Sequence, residues 1–151
     1  MRYTLVAPLT IVTAKTLFAI KPHVSKAIRL VSVTVTNRDV DTNEQMDISI
    51  ARITTIGTPT YKVTPTEAKH NPSAGALSAT YGADVTAGEP TYATTPIVRE
   101  GVPSLRGLRW VASDEVIIAP FATGIEGVGI YLNAAVTSFS GVVAVEVDEI
   151  G

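Results

Sequence analysis

Between Ala27 and Asn37 the chain reads AIRLVSVTVTN, and Val31, Val33 and Val35 alternate with Ser32, Thr34 and Thr36. A period of two sends branched apolar side chains to one face and hydroxyls to the other, which predicts a strand with a core side and a wet side. Leu30 beside Val31 breaks the phase, so a bulge or burial of both faces is expected there. MDISIARIT (Met46–Thr54) repeats the pattern, with Ile48 and Ile50 inward and Asp47 and Ser49 outward. So does GVVAVEVDE (Gly141–Glu149), where Val143, Val145 and Val147 alternate with Ala144, Glu146 and Asp148. DEVIIAP (Asp114–Pro120) and EGVGIYLN (Glu126–Asn133) have ordinary strand length. TLFAI (Thr16–Ile20), LSATY (Leu77–Tyr81), TYATTPIV (Thr91–Val98) and RGLRWVA (Arg106–Ala112) are less regular, and Pro96 assigns its segment to an edge or a bulge.

No segment holds a period of 3.6 over three turns. TPTEAKHN (Thr64–Asn71) offers one helical turn, with Thr64 as N-cap, Pro65 at the first helical position and Glu67 two residues on. The stretch Gly57–Pro90, rich in Gly, Pro, Ser, Thr and Ala, predicts long excursions between strands. About eight to ten short strands without crossover helices imply an all-β antiparallel sandwich. Asn-Gly hairpin turns are missing, which favours long connections between sheets and the two Greek keys of a jelly roll. A chain of 151 residues fits a single sandwich domain over 1–151, with residues 1–14 either a first strand or an N-terminal arm.

Composition changes this picture in one respect. Only 17% of residues are charged, against about 25% in ordinary domains, and mean hydropathy is +0.28. Either Thr hydroxyls keep such a surface wet, or copies of the chain or a larger assembly cover part of it; the second reading is favoured. A net charge of −2 without a basic run gives no footprint for nucleic acid. Met1–Ile20 is interrupted by Pro8, Thr10, Thr13 and Lys15, so a soluble chain with no leader and no membrane span is expected. The absence of cysteine excludes disulfides and zinc–thiolate sites.

Candidate chemistry is sparse. NRDVDTNEQ (Asn37–Gln45) spaces Asp39, Asp41 and Asn43 as the first oxygen ligands of a calcium loop are spaced. Such a loop requires glycine at position six and glutamate at position twelve, where this chain has Glu44 and Ile50. A solvated connection between strands is expected instead, with no metal. GIEGVG (Gly124–Gly129) is not the dinucleotide order and precedes a strand, so its glycines are assigned to a turn and to close sheet packing. His23 and His70 are expected as surface or hydrogen-bonded loop residues rather than as bases or ligands. The adjacent carboxylates Asp114–Glu115 and Asp148–Glu149 would point to opposite faces of a strand, which suits solvation rather than acid–base work. No Gly-x-Ser-x-Gly elbow occurs, and neither catalytic residues nor cofactors are assigned. Partner-contact candidates are Arg106, Arg109 and Trp110, in LRGLRW, and Arg2, Tyr3 and Leu5 in the N-terminal segment. Against this, Trp110 equally suits a core position rimmed by the arginines.

The order KTLFAIKPH, RLVSVTVTN, a polar loop ending in Glu-Gln, MDISIARITTIGTPT, a Pro-rich excursion, GEPTY, LRWVASDEVIIAP and GVGIYLN resembles the head decoration (cement) proteins of tailed bacteriophages. It covers the chain from about Lys15 onward and rests on segment order and strand rhythm, so it carries no functional residue with it. The resemblance implies a non-enzymatic β-sandwich that binds the major capsid protein on the outer surface of the virion as a homotrimer, after synthesis in the host cytoplasm. It implies no nucleic-acid or membrane partner. A carbohydrate- or receptor-binding jelly roll of a phage fibre is the alternative; it would need exposed aromatic rings, and aromatics are only 6% of the chain.

Overall fold

A computed structural model describes residues 1–38, 43–120, 124–137 and 139–151. Asp39 and Asp41 of the acidic loop lie outside these residues. Among the described residues there are twelve strands and no helix: β1 Arg2–Ile11, β2 Lys15–Lys21, β3 Ala27–Asn37, β4 Gln45–Thr55, β5 Thr60–Val63, β6 Thr66–Lys69, β7 Thr80–Ala87, β8 Thr91–Tyr92, β9 Val98–Pro103, β10 Leu108–Ile118, β11 Gly127–Leu132 and β12 Phe139–Ile150. They form an antiparallel β-sandwich. One sheet has the order β10-β3-β12-β1-β6, and the other has the order β5-β7-β2-β11-β4-β8, with β9 also on β4.

The pairings nest. β1 pairs with β12, β2 with β11, β3 with β10 and β4 with β9, so partners mirror each other along the chain. The excursion between β4 and β9 returns to both sheets. Its β6 covers the free edge of β1, and its β7, with β5 outside it, covers the edge of β2. Both edges are thereby closed to unwanted pairing.

The alternation seen in the sequence sets the core. Val143, Val145 and Val147 of β12 and Val33 and Val35 of β3 are fully buried, and Ile48, Ile50 and Phe18 meet them from the second sheet. Each such side chain contributes about 1.5–3 kcal/mol by leaving water. The phase break at Leu30 is a bulge: Glu146 pairs with Ser32 and Val147 with Leu30, leaving Val31 as the extra residue. Val31, expected inward, is therefore half-buried while Leu30 fills the core. The glycines of GIEGVG behave as read. Gly124 takes φ +76°, and a Cβ on Gly129 would lie 2.6 Å from the Tyr92 hydroxyl.

Other expectations are corrected. Thr64–Asn71 is not a helical turn; Thr66–Lys69 pairs with β1, since joining an open sheet edge outweighs a local capping signal. Gly57–Pro90 contains β5, β6 and β7. RGLRWVA and DEVIIAP join in one strand, β10, whose register against β3 shifts between Val111 and Val116. Several strands reach ten residues or more and are not short. Ser49 does point away from the core but is fully buried, because Asn133 Nδ2 covers its hydroxyl at 2.9 Å.

Candidate interaction surface

The outward positions of the five-stranded sheet form rows fixed by register. Val6 lies beside Ala144, Ala144 beside Thr34, and Thr34 beside Arg109. The next row places Pro8 beside Val142 and Thr36, and Thr10 follows beside Ser140. Apart from Arg109 at the end of its row, these side chains are small or branched, uncharged and partly or fully exposed. They alternate with core residues, so the period that builds the interior also sets an exposed patch outside it.

Charge is confined to the ends of this patch. At one end Asp148 accepts two hydrogen bonds from Arg2, Nε to Oδ1 at 2.8 Å and Nη2 to Oδ2 at 3.0 Å. Arg29 donates to Asp148 Oδ2 through Nε at 3.1 Å and through Nη2, and to Glu115 Oε1 through Nη1 at 3.1 Å. Arg2 Nη1 also lies 3.3 Å from Glu146 Oε1. Hydrogen bonding to Arg2, and after it to Arg29, holds the Asp148 carboxyl down to about 2 against the opposing effect of burial. The same contacts raise both arginines. The carboxylate pair at residues 148 and 149 therefore does split between faces, but neither member is solvated. Asp148 is buried under the arginines, and Glu149 is buried with Lys26 Nζ at 3.1 Å and the Ser78 amide at 3.0 Å.

At the other side of the patch Arg109 is exposed on β10, and Arg106 is exposed in the connection from β9. With Glu100, Pro103 and Gly107 they line one concavity of about 410 Å³. Neither arginine has an ion-pair partner among the described residues, so both guanidiniums are open to an anionic group. Trp110, opposite Val33, is half-buried against the core edge. Among the contact candidates Tyr3 and Leu5 require correction. Both occupy inward positions of β1, at 2% and 0% exposure, and Tyr3 donates its hydroxyl to Gly75 O at 3.1 Å. Arg2 keeps its place on the surface, and Arg106 and Arg109 are brought together.

The histidines sit in local hydrogen bonds, His23 Nδ1 with Ser25 Oγ at 2.9 Å and His70 Nε2 with Thr4 Oγ1 at 2.7 Å. Among the described residues no three His, Asp or Glu side chains are grouped as metal ligands. Sequence reasoning missed Ala144, Thr34 and Val142 as surface candidates, although their alternation was the signal that placed them. Comparison with protein-family models, with curated proteins and with solved structures gives no match.

Proposed function

We propose that the chain is a non-enzymatic structural protein that binds the outer surface of a tailed-phage capsid through the major capsid protein and stabilises it, as a homotrimer. The observation that carries this reading is the uncharged patch on the outer face of the five-stranded sheet, rowed by Val6, Ala144 and Thr34 and bordered by the Arg2–Asp148–Arg29 cluster and by Arg109. A surface of this kind gains by being covered, and many weakly bound copies on a shell add up through multivalency. The nested strand pairs support reading the sandwich as a jelly roll. The open arginines Arg106 and Arg109 suit carboxylates on a neighbouring subunit. The carbohydrate alternative draws less support, since Tyr92 and Tyr131 stack on each other at 4.3 Å rather than standing free.

The test is a head-binding assay beside light scattering. Wild-type protein is expected to have the mass of three chains and to sediment with purified phage heads. An Ala144→Glu variant is expected to stay folded, within about 0.5 kcal/mol of wild type, yet to lose at least about tenfold in head binding or trimer affinity through an unpaired buried charge. A wild-type monomer that ignores the heads would overturn the reading.

A further inference from the structure

Lys15 and Asp84 meet where β2 and β7 part. Their pairing ends at Phe18 opposite Ala83, one residue before Asp84. Asp84 takes φ +55°, a left-handed conformation uncommon for a residue with a side chain, so the strand leaves its regular alternation here. Its carboxylate is 1% exposed, and Lys15 Nζ stands 2.5 Å from Oδ1. The second oxygen, Oδ2, is buried with no hydrogen-bond partner among the described residues. Lys15 itself is pinned through its neighbour, because Glu89 accepts the Thr16 amide at 3.0 Å and the Thr16 hydroxyl at 2.5 Å.

This is an unusual way to hold an ion pair. Enclosed charges are offset only when their remaining lone pairs are satisfied, and here half of the carboxylate is not. An amide in the same place would carry no net charge and would leave a single carbonyl oxygen at the Oδ2 position. The amine and the carboxylate are held in hydrogen-bond contact by two strands of one sheet, the proximity that turns a slow bimolecular condensation into an intramolecular one.

We infer that Lys15 and Asp84 are the site of an intramolecular isopeptide bond formed after folding. A proton passes from Lys15 Nζ to Asp84 Oδ1 along their hydrogen bond, giving amine and carboxylic acid. The amine nitrogen attacks Cγ, forming the N–C bond. The Cγ–Oδ1 bond then breaks, and Oδ1 leaves as water with the acid proton and one further proton from nitrogen. The product is a secondary amide with Oδ2 as its carbonyl oxygen, and no oxidant, reductant or co-reactant is consumed. The bond ties β2 to β7, and so fastens the excursion between β4 and β9 to the sandwich.

Intact-mass spectrometry of the purified full chain tests this directly. The expected mass is one water below that of the sequence, and proteolysis is expected to yield a branched peptide joining Lys15 to Asp84. Lys15→Arg and Asp84→Ala are each expected to restore the full sequence mass, and Lys15→Arg, which keeps the ion pair, to melt at a lower temperature. A mixture whose lighter fraction carries the branch supports the inference. A wild-type chain at full sequence mass overturns it, as does a water loss that maps to a succinimide elsewhere. The wild-type measurement decides even if a variant fails to fold, and it is independent of any capsid.

Discussion

A Gly107→Ala variant is expected to lose about 3 kcal/mol of stability, read as a lower midpoint in chemical denaturation. Gly107 has φ +74°, and a Cβ built there would lie 2.0 Å from Val35 O, with Val35 C and Thr36 Cα close behind. All three are backbone atoms of β3, so no side chain can swing aside. The turn is held from the other direction as well, because the amides of Arg106 and Gly107 both donate to Pro103 O, at 3.0 and 2.9 Å. The added methyl must therefore push the start of β10 off β3 or unwind the turn. Either response moves Arg106 and Arg109 together, so under the proposed capsid role head binding should fall alongside stability. An unchanged denaturation midpoint would show that the β9–β10 connection takes up the methyl without cost.

Asp148→Ala is expected to cost about 2 kcal/mol near neutral pH and to flatten the acid dependence of stability. Removing the carboxylate leaves two guanidiniums facing each other, which in an enclosed site costs about 3–5 kcal/mol. Here the arginine side chains keep 41% and 36% exposure, so water relieves part of that. The downward shift of Asp148 sets the direction of the pH dependence. Asp148 sits at about 2 in the folded chain against 3.8 ordinarily. Its contribution is thus complete above about pH 4 and disappears as pH falls through about 2, amounting to about 1–2 kcal/mol after solvent screening. Denaturation curves of wild type and variant should converge over that window. Parallel curves would assign the acid sensitivity to other carboxylates.

How much of this was legible along the chain depends on how local each cause is. The strands at Ala27–Asn37, Met46–Thr54 and Gly141–Glu149 announce themselves because burial on one face imposes a period of two on their own residues. The bulge at Val31 was legible for the same reason, since adjacent Leu30 and Val31 cannot both face the core of a regular strand. By contrast β6 carries a capping signal and becomes a strand only because β1 presents an open edge, about which Thr66–Lys69 says nothing. The candidate surface was half legible. Residue type marks Arg2, Arg106 and Arg109, whereas Tyr3 and Leu5 sit on the inward phase of β1, which residue type alone does not reveal. Arg29, Asp148 and the meeting of Lys15 with Asp84 depend on strands remote in sequence, and no local pattern marks them.

The nested pairing also makes most contacts remote in sequence, which bears on folding speed. β12 lies between β1 and β3 in its sheet, so the first strand and the third touch one another only through the last. On the ribosome, β1 and β3 emerge long before the strand that joins them, and each must wait with an unpaired edge. Loop-closure entropy for such remote partners has to be met before their contacts repay it, which places folding in the slow range of about milliseconds to seconds. During that interval the nascent sheet is open to pairing with other chains. The sheet is continuous only once Phe139–Ile150 pairs with both β1 and β3.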